Sequence, residues 1–560
     1  MLQLTTNGMT ATIQNVHLEV ALAENASVSS LKFDGVELLN NLTGEPRDPD
    51  KTHSFYLDYH MAGKTVNMNP SRMEVITDTP ELVDVAYTDD TSVLGLTYHF
   101  VVREDDPAIY GYVEAWNNTN QSIEVNELRT VYRLDHNLFD IGYNAERQGK
   151  QPTSAHMMAG EKLQDETYRM QDGSLYTNSD IYSKYDYAGY LSENPLWGQY
   201  GHDYGLWFIP VDASYFPSGP LNQDLLVHYD GLILNYMTGS HFGTGNITIA
   251  PGWHKFYGPW CVLVTHGKNL VATAQKRAVE EQAAWPYPWL NNAAYPKALS
   301  RLSGALTLSA TAPATPFIVV LAKPSADGTF MHQQGGYIYY SKTDTNGHFE
   351  FDRVRPDTYT LYAYADGGSM VGMQHLDGVV VSGKDATIPT WALKPQAPVC
   401  WQIGSSTHTT DGFVFSSQLR NHIFKDLVPA NLTYHVGRPK ERWYYLQNDA
   451  GVWQIKFAGD TVEINREAML HIAFAGVTKK VMTEPRGTEV VVTLNGQPLT
   501  SARFDNDSAG YRSALRGGNY ELLEATIPAG MLWADTNTIG ITTDGYLLYD
   551  TVLMTQEARA

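Results

Sequence analysis

Side chains that can move protons are concentrated between residues 178 and 241. Lys184 lies in the segment Ser183-Lys184-Tyr185, and His241 follows a strand pattern that begins at Tyr236. A histidine titrates near neutral pH, and a lysine becomes a base when burial and neighbouring cations lower its pKa. These residue types make Lys184 a candidate base and His241 a candidate acid. The alternative for Lys184 is a surface charge whose stem lies over the neighbouring tyrosine rings.

Two arginines upstream can supply a positive charge for an acidic substrate. Arg129 follows Glu127-Leu128, and Arg133 comes next along the same strand pattern. A planar guanidinium binds a carboxylate through two parallel hydrogen bonds. Arg129 and Arg133 are therefore candidates to make a substrate cleft basic. The alternative for both arginines is a structural ion pair.

The elements that must position these residues are short β-strands. Alternating apolar and polar residues separated by Asn, Asp and Gly favour an all-β protein with a large antiparallel sandwich over residues 1–294. This pattern places Lys184 and His241 on separate strands of one sheet system. One helix is predicted from residue 269 to about residue 284, since Trp285-Pro286 ends a stretch without Gly or Pro.

Two smaller β-units follow the predicted sandwich. Residues 295–396 have the strand spacing of a fibronectin type III-like domain, with a hairpin predicted at Asn346-Gly347. Residues 397–560 form a third β-unit that begins near Trp401, with an Asn-Gly turn at residue 495. A chain of 560 residues is too long for one hydrophobic core, which agrees with several domains.

Composition narrows the classes of partner. A net charge of -22 argues against nucleic acid, since a phosphate backbone requires a basic surface. No apolar run is long enough for a transmembrane helix, so no membrane partner is predicted. The two cysteines, Cys261 and Cys400, fall in different predicted domains and are expected to be free thiols.

The order of these segments resembles the rhamnogalacturonan lyases of polysaccharide lyase family 4. The similar parts are Glu127-Leu128-Arg129, Ser183-Lys184-Tyr185, the aromatic-Met strand before His241, and residues 252–259. The resemblance implies a mutarotase-like super-sandwich, a fibronectin type III-like domain and a C-terminal jelly-roll carbohydrate-binding-like domain. It also implies cleavage of the rhamnogalacturonan I backbone of pectin by β-elimination, which leaves an unsaturated galacturonate.

Such a lyase removes the proton on C5 of galacturonate and expels the oxygen on C4. The reaction requires a base, a cation against the carboxylate and an acid at the leaving oxygen. Lys184, Arg129 and His241 are expected to fill these roles, and Tyr185, Tyr236 and His202 are expected to bind substrate with Arg133. No Asp-rich loop has metal-ligand spacing, so no cofactor is expected for catalysis, with a structural calcium ion left open.

Several alternatives stay open at this point. His202 and His228 compete with His241 for the acid role. A glycoside hydrolase could pair Asp186 with Asp203 or Asp224, and a non-catalytic pectin-binding protein would bind without cleaving.

The expected partner is a pectic polymer or oligosaccharide, and the chain is expected to be a monomer. The family implies an extracellular protein, whereas the N-terminus Met1-Leu2-Gln3 lacks the pattern of a signal peptide and leaves a cytoplasmic alternative.

Overall fold

A computed structural model describes residues 1–39, 54–239, 241–325, 328–481, 486–505 and 507–557. Ser240, which precedes His241 in the segment discussed above, lies outside these ranges. The chain forms two compact units. The first comprises Met1–Ser240, Gly245–Lys297 and Gln334–Tyr337, and the second comprises His241–Thr244, Ala298–Gln333 and Ile338–Ala560.

The first unit contains strands β1 to β26 and two helices. The strands are β1 (Gln3–Asn7), β2 (Thr10–Gln14), β3 (Leu18–Leu22), β4 (Val28–Phe33), β5 (Val36–Glu37), β6 (Phe55–Met61), β7 (Lys64–Asn67), β8 (Arg72–Asp78), β9 (Leu82–Asp89), β10 (Leu94–Arg103), β11 (Ala108–Asn117), β12 (Ile123–Val125), β13 (Glu127–Arg133), β14 (Ile141–Tyr143), β15 (Gln148–Lys150), β16 (Glu161–Gln164), β17 (Thr167–Arg169), β18 (Ile181–Ser183), β19 (Ala188–Tyr190), β20 (Trp197–Gly201), β21 (Tyr204–Pro210), β22 (Gln223–Leu225), β23 (Val227–His228), β24 (Leu232–Thr238), β25 (Ile247–Ile249) and β26 (His254–His266). The helices are α1 (Ser154–Met158) and α2 (Leu270–Ala284). Helix α2 confirms the helix predicted from the sequence.

Two large antiparallel sheets build this unit. Within the described residues, one has the order β1-β2-β3-β4-β6-β13-β24-β23, with β5 on β4 and β7 on β6, and the other has the order β15-β14-β20-β21-β26-β11-β10-β9-β8. One hydrophobic core takes buried side chains from both sheets, among them Ile13, Leu57, Phe100 and Trp260. The predicted large β-sandwich is therefore confirmed, because alternate side chains of each strand enter a shared core.

Two tight turns follow the local sequence rules. Asp34 and Gly35 join β4 to β5 with positive φ angles of 47° and 85°. His202 and Asp203 join β20 to β21 with φ angles of 46° and 68°. Both turns require the left-handed backbone region that Gly, Asn and Asp enter most readily.

The second unit contains strands β27 to β44 and the short helix α3 (Phe424–Leu427). The strands are β27 (Ser300–Leu308), β28 (Phe317–Ala322), β29 (Tyr339–Lys342), β30 (His348–Val354), β31 (Asp357–Ala365), β32 (Met373–Val381), β33 (Ala386–Thr387), β34 (Trp391–Leu393), β35 (Val399–Gly404), β36 (Leu432–His435), β37 (Leu446–Gln447), β38 (Trp453–Ala458), β39 (Ala468–Thr478), β40 (Thr488–Leu494), β41 (Gln497–Phe504), β42 (Glu521–Ile527), β43 (Thr536–Thr543) and β44 (Tyr546–Thr555).

Four small sheets organise these strands. Two four-stranded sheets cover β27 to β34, and two five-stranded sheets cover β35 to β44, as counted over the described residues. The second pair encloses its own hydrophobic core, which includes Trp453 and Tyr549. The Asn495-Gly496 turn joins β40 to β41 as expected, with φ angles of 52° and 79°. The prediction of an all-β, multi-domain protein is confirmed.

The hairpin predicted at Asn346-Gly347 is wrong. Strand β29 pairs with β28, whereas β30 pairs with β27, so the loop carries the chain from one sheet to another. The Asp344 carboxylate accepts hydrogen bonds of 2.8 Å from the backbone N–H groups of both Asn346 and His348. These hydrogen bonds form a local turn, but the strands on its two sides do not pair with each other. The Asn-Gly dipeptide predicts the turn and not the pairing of the strands.

A buried carboxyl group in the second unit predicts how stability depends on pH. Asp550 on β44 accepts a 2.8 Å hydrogen bond from the Thr407 N–H, yet burial raises the pKa of its carboxyl to about 8. Its folded-state pKa exceeds that of an unfolded aspartate, so protonation favours the folded state. The stabilisation is complete below about pH 4 and is lost as pH rises towards 8.

We therefore expect the melting temperature to fall from pH 5 to pH 8, and Asp550→Asn to flatten this slope in calorimetry. Asp544→Asn, at an exposed position of the same unit, is the matched control and should keep the wild-type slope. Equal slopes in Asp550→Asn and the wild type would contradict the assignment.

Candidate active site

Lys184 begins a single turn of 3-10 helix that spans Lys184–Tyr187. The Ser183 hydroxyl accepts a hydrogen bond from the Tyr185 N–H at 3.3 Å, and the Asp186 carboxylate accepts one from the Ser183 N–H at 3.1 Å. This reciprocal cap ends β18 at Ser183. The prediction that Lys184 lies on a strand is therefore wrong, because the cap turns the chain away from the β-ladder one residue earlier.

The ammonium of Lys184 forms an ion pair with Glu166. The backbones of the two residues are also joined, since the Lys184 N–H donates to the Glu166 carbonyl at 3.1 Å. Tyr229 donates its hydroxyl to the other carboxylate oxygen of Glu166 at 2.6 Å. Burial acts to raise the pKa of Glu166, but the charge and hydrogen bond of Lys184 and the bond from Tyr229 lower it to about 2. Glu166 is thus a fixed negative charge beside Lys184.

The charges of Glu166 and Lys184 also act on the imidazole of His228. Burial, opposed by the negative charge of Glu166 and assisted by the positive charges of Lys184 and Arg133, lowers the pKa of its imidazole to about 3. Its Nδ1 lies 3.2 Å from the Tyr229 carbonyl, which accepts a hydrogen bond from the protonated Nδ1. His228 is therefore a neutral imidazole at neutral pH.

The guanidinium of Arg129, a residue of β13, forms hydrogen bonds and ion pairs with neighbouring acidic side chains. Its Nε donates to Asp58 at 2.7 Å, its Nη2 donates to the same carboxylate at 3.2 Å, and its Nη1 donates to the Tyr236 hydroxyl at 2.9 Å. The Glu127 carboxylate lies 3.6 Å from Nη1, and Asp58 is completely buried. The guanidinium fork that a substrate carboxylate would need is thus occupied by Asp58, which gives Arg129 a structural role in this state.

Arg133 differs from Arg129 although both lie on one face of the same strand. Its Nη2 donates to the Tyr56 hydroxyl at 3.1 Å, and its guanidinium lies over the Tyr56 ring at 5.6 Å. No carboxylate among the described residues lies within ion-pair distance of Arg133. Arg133 consequently keeps donors for a substrate carboxylate, and the catalytic role expected of Arg129 stays a prediction.

The two tyrosines predicted to bind substrate are both buried. Tyr185 is inaccessible and donates its hydroxyl to Asp165 at 2.5 Å, while its ring lies 5.2 Å from the Lys184 ammonium. Tyr236 bonds to Arg129, whose guanidinium also lies 5.6 Å from the ring. Both side chains support charged residues of the site, and their roles towards a sugar stay predictions.

His241 lies beyond β24, which ends at Thr238, so its predicted position on a strand is also wrong. It belongs to the second compact unit, where its backbone carbonyl accepts a 2.8 Å hydrogen bond from Arg512. Its side chain is nearly buried. The acid role predicted for His241 stays a prediction based on the family resemblance.

The structure places the other candidates named from the sequence, and the substrate-binding role of His202 stays a prediction. His202 and Asp203 are exposed at the tip of the β20–β21 turn, with positive φ angles. Asp186 caps the helical turn after Ser183, and Asp224 is buried and accepts a hydrogen bond from the Leu225 N–H at 2.7 Å. The carboxylates proposed for a hydrolase therefore have local structural functions.

Sequence reasoning did not identify Glu166, Tyr229 or Asp58. Glu166 has a φ angle of 39°, a strained conformation for a residue with a side chain, and such strain is common at functional sites. In the sequence it reads as a surface carboxylate in a turn, so no local pattern distinguishes it. Among the described residues, no cluster of three or more His, Cys, Asp and Glu is arranged to hold a metal ion.

The structure also bears on the cysteines and on membrane-spanning helices. Cys261 and Cys400 are free thiols, as expected. In the described part of the chain, no helix is long and apolar enough to cross a membrane.

Comparison with known proteins adds matches to two family models. Residues 399–554 match the CBM-like model of polysaccharide lyase family 4, domain III, and residues 313–388 match the fn3-type model of polysaccharide lyase family 4, domain II. These segments lie inside the second and third predicted domains, whose boundaries stay predictions.

Curated relatives match over much longer ranges. A rhamnogalacturonate lyase of Dickeya dadantii (strain 3937) is 38% identical over 99% of this chain and 94% of its own length. A probable rhamnogalacturonate lyase B of Aspergillus terreus is 24% identical over 72% of this chain and 65% of its own. A solved putative aldose 1-epimerase of Escherichia coli K12 is 9% identical over 48% of this chain and 99% of its own, and its TM-score of 0.25 supports no argument about the fold.

Proposed function

Because the chain belongs to polysaccharide lyase family 4, we propose that it is a rhamnogalacturonan lyase. It cleaves the rhamnose-(1,4)-galacturonate bond of the pectin backbone by β-elimination and leaves an unsaturated galacturonate. The observation that carries this proposal is the near full-length similarity to the Dickeya lyase. The positive charges of Arg133 and Lys184 suit the binding of an acidic sugar.

The roles of individual residues follow from the charges around Lys184. Arg133 binds the galacturonate carboxylate, because its guanidinium has no carboxylate partner among the described residues and keeps donors for one. Neutralising the carboxylate makes the C5 proton easier to remove. The ammonium of Lys184 first releases a proton to solvent, and the neutral amine then takes the C5 proton while Glu166 holds it in place. His241 protonates the leaving oxygen, a role that rests on the family resemblance.

The function is tested by the products formed from rhamnogalacturonan I and from homogalacturonan. We expect products from rhamnogalacturonan I alone, with the ultraviolet absorbance and the mass of an unsaturated uronate. Products with a saturated non-reducing end would indicate a hydrolase instead. Binding of the polymer without shortening would indicate a non-catalytic binding protein.

Glu166→Gln should lower kcat on rhamnogalacturonan I. The ion pair with Glu166 holds the amine of Lys184 in place, and glutamine keeps the shape of the side chain without its charge. We expect a loss of up to about 10²-fold, the cost of a misplaced catalytic group. Tyr229→Phe is the matched control, because it removes one hydrogen bond to Glu166 but keeps the charge. A kcat of Glu166→Gln equal to that of the wild type would refute this function for Glu166.

The histidine that acts as the acid can be identified by substitution. We expect His241→Ala to lower kcat about 10²-fold, the lower range for general acid catalysis, and to flatten the limb that reports the acid. His228→Ala should leave that limb in place, because its imidazole is neutral throughout the working range. Near-normal activity of His241→Ala combined with loss in His228→Ala would assign the acid to His228.

The remaining expectations are carried forward as proposals. The substrate is a pectic polymer or oligosaccharide, and the enzyme acts as a monomer outside the cell. Catalysis requires no metal cofactor, while a structural calcium ion would act on stability alone.

A further inference from the structure

Trp533 is the one exposed tryptophan of the chain. All twelve tryptophans lie in the described residues, and the others are buried or half-buried. Trp533 leaves 57% of its surface in solvent, between β42 and β43. An indole on a protein surface gains nothing for folding from its exposed face, so a role in binding must be considered.

The side-chain amide of one buried residue, Asn537, forms hydrogen bonds with both the N–H and the carbonyl of Trp533. The Trp533 N–H donates to Oδ1 of Asn537 at 2.8 Å, and Nδ2 of Asn537 donates to the Trp533 carbonyl at 2.9 Å. Asn537 is completely buried, and its Oδ1 also accepts a hydrogen bond from Asn495 at 2.9 Å. The exposed ring therefore projects from a fixed segment.

The neighbouring chain packs closely beneath the same segment. A Cβ atom on Gly459 would lie 2.3 Å from the Trp533 carbonyl oxygen, so only glycine fits there. Leu532 is buried in the core of the unit and anchors the segment from the other side. Because this segment is rigid, less conformational entropy is lost when a ligand binds to the ring.

Two carboxylates on the backbone segments next to Trp533 indicate the chemistry of the ligand. Asp535 follows Trp533 closely in sequence, and its backbone carbonyl accepts a hydrogen bond from the N–H of Gly459 at 2.5 Å, so Asp460 comes directly after the paired residue. Both side chains are exposed, and no cation of the described residues lies within ion-pair distance of either carboxylate. Carboxylates accept hydrogen bonds from sugar hydroxyls but repel an acidic sugar.

We propose that Trp533, flanked by Asp460 and Asp535, is a binding platform for an uncharged pyranose ring. The apolar face of the sugar stacks on the indole, and its hydroxyls donate to the two carboxylates. The platform lies in the segment that matches the CBM-like model, and it binds sugar without cleaving it. This inference is independent of the proposed lyase activity, because it concerns neutral sugars and a different part of the chain.

The test measures binding of the full chain to a soluble neutral galactan by affinity electrophoresis and titration calorimetry. We expect the wild type to be retarded, and Trp533→Ala to weaken binding about 10-fold, the scale of an aromatic stacking contact. Trp533→Tyr should restore part of the binding. Tyr340→Ala, which removes another exposed aromatic ring of the same unit, is the matched control and should bind as the wild type does.

Three outcomes would overturn the proposal. The first is no retardation of the wild type by galactan, and the second is equal binding by Trp533→Ala and the wild type. The third is tighter, Trp533-dependent binding of polygalacturonate than of galactan. The melting temperature of Trp533→Ala should stay within the error of the wild type, which separates lost binding from lost folding. Because the galactan is not a substrate, loss of lyase activity would leave this result unchanged.

Discussion

Lys184→Ala should lower the turnover of rhamnogalacturonan I by about 10²- to 10⁴-fold, the range of general acid–base catalysis. The substitution removes the only base in the proposed reaction and leaves Arg133, which binds the substrate carboxylate, in place. KM should therefore change little, and the loss should appear in kcat. Initial rates of ultraviolet absorbance at saturating substrate measure this directly.

Lys162→Ala provides the matched control for this experiment. Lys162 is an exposed lysine on β16 of the same unit, and no ion pair of it is found among the described residues. It should retain wild-type kcat and KM. If Lys184→Ala keeps more than about a tenth of the wild-type kcat, Lys184 is not the base, since that loss is below the range for such a group. A free amine added to the Lys184→Ala reaction should partly restore its rate.

Arg129→Met should destabilise the folded protein by about 3–5 kcal/mol, the usual cost of removing one partner from a buried ion pair. The reason is that Asp58 is fully buried and would lose both the two hydrogen bonds from Arg129 and the positive charge that faces it. Urea unfolding followed by tryptophan fluorescence measures the change in the free energy of unfolding. This result would make Arg129 a structural residue that supports the site.

Arg133→Met is the matched comparison, since the two arginines lie on one face of β13 and differ in their partners. Arg133 has no carboxylate partner among the described residues, so its loss should cost little stability. It should instead raise KM for rhamnogalacturonan I, because the galacturonate carboxylate loses its cation. If Arg129→Met unfolds like the wild type and Arg133→Met is the destabilised variant, the two roles are reversed.

Local sequence patterns determined the class of fold and several of its turns. Period-two alternation predicts strands because successive side chains point to opposite faces of a sheet, and the two-sheet sandwich confirms it. Helix α2 was predictable because its stretch lacks Gly and Pro and ends before Pro286. The Asp-Gly and Asn-Gly turns followed from backbone preferences that act within a few residues.

The order of motifs along the chain also determined the proposed reaction. The segments around Arg129, Lys184 and His241 resemble the lyase family in their sequence alone, and the near full-length relative agrees. Residue type alone indicates which chemistry is available to a lysine, a histidine or an arginine. It does not indicate which atoms each side chain contacts.

Only the tertiary structure decided the partners of those residues. Asp58 and Arg129 are 71 residues apart, and they meet because β6 pairs with β13 in a register that places them opposite each other. Tyr229 and Glu166 are 63 residues apart and meet beside Lys184. The two arginines look alike in the sequence, yet one is neutralised by a buried carboxylate and the other is not. Strand register sets this difference, because it is a long-range property that no short segment of sequence contains.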